Sequence, residues 1–215
     1  MKAGYVTSVR ILVWFSSLYQ WDPLNQSSGR YRCVDCFGGP ILCKSCIVNQ
    51  HMFNPFHRIQ VHQTFFGWSP PLIRVQEWTG TFFRKYDLRS AGQRVQLGHP
   101  PGDVCTSPQQ STRTFTVLHT NGMHLADIWF CGCNLAAHHG DRVQQLLRRR
   151  IFPATTTDPQ TGSTFSLLEF AHILSVQSKL SLYDFYISLE ALTDATRVSD
   201  VKVCLARFFL ATIPL

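Results

Sequence analysis

Four cysteines and two histidines are concentrated between residues 33 and 57. A first Cys-x-x-Cys knuckle is followed by a Gly-Gly-Pro segment, a second knuckle and then the histidines; in order these residues are Cys33, Cys36, Cys43, Cys46, His51 and His57. Zn²⁺ takes four thiolate or imidazole ligands in a tetrahedron, and a two-residue gap lets one tight turn present two sulfur atoms. We therefore predict zinc binding here, in preference to disulfides or scattered buried thiols.

Two ways of sharing these ligands remain open. In a cross-braced arrangement like that of a B-box, the first knuckle would bind one zinc together with His51 and His57. The second knuckle would then belong to another site, whose other pair is expected upstream, although residues 1–32 contain no cysteine and no histidine. Alternatively, both knuckles form one four-cysteine site. We favour the mixed site, because the four-cysteine site leaves the histidines unexplained.

Three further cysteines, Cys105, Cys131 and Cys133, could form a second metal cluster. Side chains at positions i and i+2 of a strand point the same way, so the last two of these thiols could bind one ion. Three ordinary thiols account for the same residues equally well. The fourth ligand stays open among His99, His138 and His139.

A β-hairpin is predicted over residues 113–130, immediately before the paired thiols. Apolar and polar residues alternate on both sides of Asn121-Gly122, a pair that suits a two-residue turn. That turn places Val117 opposite Ala126. In this register the two thiols continue the face opposite to the apolar one.

Helical patterns follow the hairpin. Residues 142–150 have apolar positions at helical spacing and an aspartate that can cap them. Capping boxes are predicted at Ser166 and Ser181, each of which is followed three residues later by an acidic residue. The predicted fold class is therefore α+β: a small zinc-stabilised, B-box-like module, a middle region containing a β-hairpin, and C-terminal helices.

Composition limits the classes of function. The chain has 215 residues, 15% of them charged, and a formal net charge of +7, which is compatible with an anionic partner but is weak evidence for nucleic acid. No run approaches the roughly 20 apolar residues that cross a bilayer, and no secretory signal is evident. Cysteines in metal-like spacing fit a reducing compartment, so we expect an intracellular, nuclear location. No nucleotide-binding loop, nucleophile elbow or deaminase pattern is present, and we expect no catalytic activity.

Seven stretches occur in a distinctive order. They are YRCVDCFGGPILCKSCI (31–47), NPFHRIQ (54–60), EWTGTFF (77–83), VQLGHPPGDVC (95–105), VLHTNGMHLADIWFCGC (117–133), IFPATTTDPQTGSTFSLLE (151–169) and YDFYISLEALTDAT (183–196). Together they resemble the CxC type-2-like cysteine-cluster domain that accompanies KDZ transposases in fungal genomes. The likeness covers most of residues 29–197, and the Cys131-x-Cys133 pair corresponds to the motif that gives the family its name.

The resemblance implies a zinc-chelating, non-catalytic region that lies N-terminal to a transposase catalytic domain. Its implied partners are DNA, in the form of transposon ends, or the catalytic domain itself, with no membrane and no small-molecule substrate. The alternative function is a zinc-stabilised, B-box-like protein-interaction module. Against that alternative stands the absence of a RING pattern and of a long coiled coil.

The chain departs from the family pattern at three places, which suggests the following organisation. Residues 1–30 are unassigned and lack the family's first cysteine pair, and residues 31–60 form the zinc module. Residues 61–76 are an insert, residues 77–197 form the cysteine-cluster domain with its helices, and residues 198–215 are an unassigned tail.

The insert begins with valine, always encoded by GTN, and ends with glutamine, which can be CAG. We therefore hypothesise that the insert and the tail are translated introns, which sequencing the mature transcript would test.

Overall fold

The structure, a computed structural model, describes residues 30–63, 72–74, 76–78, 83–100, 102–133 and 140–193. The strands in these ranges are β1 (Tyr31–Cys33), β2 (Ile59–Gln63), β3 (Leu72–Arg74), β4 (Gln76–Trp78), β5 (Phe83–Lys85), β6 (Val95–Gln96), β7 (Pro108–Gln110), β8 (Phe115–His119), β9 (Gly122–Ala126), β10 (Ile128–Cys131), β11 (Ile151–Pro153) and β12 (Thr161–Thr164). The helices are α1 (Lys44–Gln50), α2 (Arg142–Arg148), α3 (Phe165–Gln177) and α4 (Leu182–Thr193). The α+β prediction is confirmed.

The chain divides into two compact units. Unit 1 comprises Met1–His51 and His57–Ala91, and unit 2 comprises Met52–Phe56 and Gly92–Leu215. The short segment between the two histidines of the first motif therefore belongs to unit 2, although the histidines belong to unit 1. Within unit 2, Phe56 is buried in the core, and its carbonyl accepts a hydrogen bond of 3.0 Å from the Asn121 side chain.

Unit 1 contains a small antiparallel sheet in the order β1-β2-β3 and a two-stranded ribbon, β4-β5. In the sheet, Tyr31 pairs with Val61 and Cys33 pairs with Ile59. Helix α1 contributes Ile47, which is almost fully buried. Apolar side chains from the sheet, from α1 and from residues 86–91 form one core, whose buried members are Cys33, Ile47, Ile59, Val61, Tyr86, Leu88 and Ala91. The first metal motif is therefore built on the edge of a hydrophobic core.

Unit 2 contains two sheets, in the orders β6-β10-β7 and β11-β12-β8-β9. Strand β10 lies in the centre of the first sheet, parallel to β6 and antiparallel to β7. Helices α3 and α4 pack on the second sheet, with Leu167, Phe185 and Leu189 buried in the same apolar cluster as Leu118 and Met123. Among the described residues, none of the helices is both long and apolar enough to cross a membrane.

The predicted hairpin exists, but its register differs by two residues. Val117 pairs with His124, and the turn residues are Thr120 and Asn121. Gly122 is the first residue of β9, with φ +133°, and a Cβ there would lie 2.9 Å from the Thr193 hydroxyl at the end of α4. The register prediction was wrong because this glycine serves a close approach by a distant helix and not the turn.

The prediction that the thiols extend this hairpin was also wrong. The second strand breaks at Asp127, and the residues beyond it form β10 in the other sheet. There Trp129 pairs with Gln96 on one side and with Gln110 on the other. The position of Cys131 is therefore set by the pairing of β10 with β6 and β7. The alternation of apolar and polar residues over 113–130 does not indicate this pairing.

The helix predictions were correct where a local cap determines the start. Asp141 caps α2 through a hydrogen bond from the Gln144 amide, although the helix ends at Arg148 and not at residue 150. Ser181 caps α4 as predicted: its hydroxyl accepts from the Asp184 amide and donates to the Asp184 carboxylate. The box at Ser166 was wrong: α3 begins two residues earlier, because the Thr164 hydroxyl at the end of β12 accepts the hydrogen bond from the Leu167 amide.

Candidate metal centres

The first candidate centre, site 1, consists of Cys33, Cys36, His51 and His57. One donor atom from each residue lies within 4.8 Å of the others, and all four residues belong to unit 1. The Cys36 sulfur lies 3.4 Å from His51 Nε2 and 3.3 Å from His57 Nδ1, and the Cys33 sulfur lies 3.5 Å from the same Nδ1 atom. Ligand atoms of a tetrahedral zinc, at ordinary Zn–S and Zn–N lengths, lie about 3.3–3.8 Å apart. The group could therefore hold a metal ion.

The imidazole of His51 is held in the tautomer that a metal requires. His51 is buried, and its Nδ1 lies 2.8 Å from the Ile47 carbonyl oxygen one helical turn earlier. A carbonyl only accepts, so Nδ1 carries a proton, and in the neutral ring the lone pair is on Nε2, the nitrogen that lies next to Cys36. The end of α1 thus both supplies the ligand and orients it.

An ion pair between Asp35 and Arg58 connects the first knuckle to the segment that carries His57. Asp35, between the two cysteines, accepts hydrogen bonds from the Arg58 amide at 2.6 Å and from Arg58 Nη2 at 2.7 Å. The Val34 amide in turn donates to the Arg58 carbonyl at 2.9 Å. Because Arg58 follows His57 directly, these contacts set the position of that imidazole relative to the two thiols.

Burial also shapes the acid–base behaviour of site 1. Desolvation lowers the pKa of His57, so its ring is neutral at physiological pH, as a ligand must be. Desolvation is also the main reason why the pKa of Cys33 rises to about 11. A metal that binds here must therefore displace a thiol proton.

The second candidate centre, site 2, consists of His99, Cys105, Cys131 and Cys133, all in unit 2. His99 Nε2 lies 3.2 Å from the Cys131 sulfur and 3.8 Å from the Cys133 sulfur. The Cys131 sulfur lies 3.6 Å from that of Cys105 and 3.0 Å from that of Cys133, and all three thiols are buried and free. Three thiolates and one imidazole are a complete set of ligands for a tetrahedral ion.

Strand pairing brings the ligands of site 2 together. Cys131 ends the central strand β10, and Cys105 precedes β7, its antiparallel neighbour. His99 follows β6, its parallel neighbour, where the Leu97 amide donates to the Trp129 carbonyl at 2.7 Å. Gly98 between them has φ +77°, and a Cβ there would come within 2.4 Å of the Cys131 Cβ. Only glycine allows the histidine loop to approach the thiols so closely.

A buried glutamine holds the backbone of Cys131. Gln145, on α2, is 2% exposed. Its side-chain oxygen accepts from the Cys131 amide at 2.8 Å, and its nitrogen donates to the Cys131 carbonyl at 3.1 Å. One turn further along the chain, Arg149 donates to the His99 carbonyl. Helix α2 and its C-cap residue Arg149 therefore hold two of the four candidate ligands without supplying one.

The thiols of site 2 differ in acidity. Burial, reinforced by a hydrogen bond with Cys133, raises the pKa of Cys131 to about 11. Burial also raises the pKa of Cys105, but the Ser107 and Gly132 amides and the neighbouring thiols outweigh it and lower the pKa overall. Site 2 therefore contains one thiol whose pKa lies below that of an ordinary cysteine and one that a metal must deprotonate.

Of the two arrangements considered from the sequence, the grouping in the structure corresponds to the mixed site of two cysteines and two histidines. The first knuckle meets His51 and His57, and His99 is the histidine that completes the second cluster. His138 and His139 lie outside the described residues. Cys43 and Cys46 belong to neither group. The supporting residues Asp35, Arg58, Gln145 and Arg149 were missed, because a charged or amide side chain in a loop or helix usually faces solvent and carries no pattern of its own.

The second knuckle, Cys43 and Cys46, is not part of either candidate centre. Cys43 caps α1, its sulfur accepting from the Cys46 amide at 3.3 Å, and Cys46 is exposed. A hydrogen bond with the Ser45 hydroxyl, at 3.2 Å, is the main cause that lowers the pKa of Cys43 to about 7, with further contributions from Cys46. This pair therefore presents a partly ionised thiol near neutral pH.

Residues 88–197 match the family described as CxC2-like cysteine cluster associated with KDZ transposases. The matched region contains all four residues of site 2 and covers just over half of the 215 residues. The chain belongs to this family. No curated protein and no solved structure with which the chain was compared matches it. This CxC2 domain therefore includes one complete cysteine–histidine group, and site 1 lies upstream of the matched region.

Proposed function

We propose that this CxC2 protein is a zinc-binding, non-catalytic accessory region of a KDZ-type transposase, and that it contributes to DNA or partner binding in transposition. The observation that carries the proposal is the presence of two separate cysteine–histidine groups, each with four donor atoms within 4.8 Å of one another. One of the groups lies inside the family match.

The donor sets favour zinc. Both groups consist of thiols and imidazoles without a carboxylate, a combination that suits Zn²⁺ and disfavours the oxygen-seeking ions Mg²⁺ and Ca²⁺. Four protein ligands also complete a tetrahedron and leave no position for water or substrate, which is the pattern of structural zinc. The bound ion would link loops and strands that are far apart in sequence, and this structural role supports a non-catalytic function.

A DNA-binding role is supported by charge, but only part of that charge is available. The formal net charge is +7. Arg58 is paired with Asp35, Arg142 with Asp158, and Arg149 donates to a backbone carbonyl, so these side chains already serve internal contacts. Arg113 and Arg150 are exposed on unit 2. We propose that such exposed arginines contact phosphates and that binding tolerates any sequence.

A salt-titrated DNA retention assay tests this role. We expect weak binding to duplex DNA that falls steeply with salt, the logarithmic slope being about −0.9 for each phosphate contacted. Replacing Arg113 and Arg150 by alanine should reduce the magnitude of the slope by roughly one for each residue. Arg142→Ala removes the same charge from an exposed ion pair and is the matched control, for which we expect no change in slope. Absence of retention at low salt would remove DNA from the proposed partners.

The protein-interaction alternative rests on a different observation. Phe37, in the loop between the knuckles, is fully exposed, and Phe53 is 71% exposed. Exposed aromatic side chains of this kind anchor protein interfaces. Saturable binding to the transposase catalytic domain that is lost in Phe37→Ser and kept in Ser45→Ala, without DNA retention, would favour a zinc-stabilised, B-box-like interaction module.

A nuclear location follows from the proposal, because a region that assists transposition acts on chromosomal DNA. Fluorescence microscopy of the tagged chain, expressed at low level, tests this expectation. Retention of the protein outside the nucleus would contradict it.

A further inference from the structure

We propose that Cys43 and Cys46 form one half of a third zinc site, which the same pair of a second copy of the chain completes. The inference rests on the proposed zinc identity of sites 1 and 2 and goes beyond it, because it assigns an assembly function to a pair of thiols that belongs to neither group.

The second knuckle has the local geometry of the first. In the first knuckle, the Cys36 amide donates to the Cys33 sulfur at 3.3 Å. In the second, the Cys46 amide donates to the Cys43 sulfur, also at 3.3 Å. This amide-to-sulfur bond closes a tight turn in each Cys-x-x-Cys segment. A hydrogen bond between the Cys43 and Cys46 side chains brings the two sulfurs of the second pair together, so this pair is arranged to bind a metal in the same way as the first.

Within the part of the chain that the structure describes, the second knuckle lacks the remaining ligands of a tetrahedral ion. Among the residues that the structure describes, groups of three or more metal-binding side chains are limited to sites 1 and 2. Residues 1–29 contain no cysteine or histidine that could supply the missing pair. Two thiolates alone do not close the coordination of zinc, so two further donors must come from elsewhere.

A second copy supplies the missing donors by symmetry. A twofold axis through the ion would place two identical pairs around it, giving a four-thiolate site, and twofold dimers are the commonest homo-oligomers. Both sulfurs can be reached, since Cys46 is exposed and Cys43 is half-buried. The complex of Zn²⁺ with four thiolates has a net charge of −2. Lys44, exposed between the two cysteines, would contribute one positive charge from each copy.

Metal content and molecular mass, measured together, test the inference. We compare the full-length wild type with the double variant Cys43→Ser/Cys46→Ser, both purified with reductant and zinc, by light scattering and elemental analysis. The wild type should be a dimer of twice 24.5 kDa with about 2.5 zinc ions per chain, and the double variant a monomer with about two, as sites 1 and 2 require. Cys204→Ser, which changes the one cysteine outside both groups and the second knuckle, is the matched control and should remain dimeric.

Three outcomes would overturn the inference. A wild-type monomer with two zinc ions per chain would mean that the second knuckle binds no metal. A wild-type monomer with three would mean that the chain completes the site by itself. A dimer that persists in the double variant would mean that another surface holds it. The zinc count of the double variant separately tests the proposed function, because it depends only on sites 1 and 2.

Discussion

The candidate metal ligands depend on neighbouring side chains that donate nothing to the ion. At site 2, Gln145 binds both the amide and the carbonyl of Cys131, and at site 1 the Ile47 carbonyl fixes the tautomer of His51. Such contacts orient ligands before the metal arrives, and their loss typically weakens binding 10–100-fold. The sequence shows the ligands through their spacing. It does not show Gln145, because nothing in a helical pattern separates a buried glutamine from an exposed one.

The first prediction concerns Gln145. Gln145→Ala removes both hydrogen bonds to Cys131 and leaves its buried amide and carbonyl without these partners, so we expect the zinc affinity of site 2 to fall about 10–100-fold. The zinc affinity of site 1 should not change. Competition with a chromophoric chelator measures both affinities. Gln144→Ala, at the exposed neighbouring position of the same helix, is the control; an equal loss in both variants would contradict the assigned role.

The second prediction concerns pH. The pKa values of Cys33 and Cys131 are raised to about 11, so without metal these thiols stay protonated throughout the range from pH 6 to pH 8. Binding must release at least one proton at each site, and the apparent affinity should rise at least about tenfold for each pH unit. Chelator competition at pH 6, 7 and 8 tests this. An affinity that does not change with pH would show that the sites bind no thiolate.

Elements whose ends are set by neighbouring residues in the sequence were predictable. Asp141 and Ser181 cap their helices as the sequence indicates, because a cap is a local hydrogen bond. The hairpin register was not predictable, since Gly122 is reserved for the approach of Thr193 from a helix about 70 residues later. The choice of His99 as the fourth member of site 2 also required the structure, because it depends on the parallel pairing of β6 with β10.

The third prediction concerns the insert, residues 61–76. The hypothesis of a translated intron expects its deletion to leave stability unchanged or improved. Val61, however, is 3% exposed in the core of unit 1 and pairs with Tyr31, so the burial observed predicts a loss of about 1.5–3 kcal/mol. Chemical denaturation of the deletion variant distinguishes the two expectations.

A matched control isolates the contribution of the strands in the insert. Replacing residues 64–71 by Asn-Gly keeps β2 and β3, in which Gln63 faces Leu72, and gives them a two-residue turn. We expect this variant to keep wild-type stability. If the full deletion is as stable as this control, β2 beyond residue 60 contributes nothing and the intron hypothesis gains support.

At the scale of the whole molecule, the described residues form two compact units, and each unit contains one group of four cysteine and histidine residues that could hold a metal ion. Strand and helix patterns in the sequence predicted the α+β class, and seven sequence stretches carried the family resemblance; both are confirmed. The division into two units was not evident in the sequence, because Met52–Phe56 lies between two residues of site 1 yet packs in unit 2. A segment of five residues is too short for a periodic pattern of apolar residues to show that it belongs to a different unit from its neighbours in the sequence.

The fourth prediction is that the chain alone neither cleaves DNA nor transfers strands. Both candidate sites provide four protein ligands, which leaves no coordination position for water or phosphate. Assays with Mg²⁺ and with Mn²⁺ on supercoiled and linear DNA test this. Metal-dependent cleavage that co-purifies with the protein and is lost on substitution of one of its carboxylates would contradict it.

We propose that each chain holds two structural zinc ions, one in each unit. Native mass spectrometry of the reduced Cys43→Ser/Cys46→Ser protein tests it most directly, because this background contains sites 1 and 2 without the second knuckle. We predict a monomer with two zinc ions, one zinc ion after adding either Cys36→Ser or Cys131→Ser, and none after adding both. A folded, metal-free monomer, or one whose zinc count is unchanged by either additional substitution, would contradict the account.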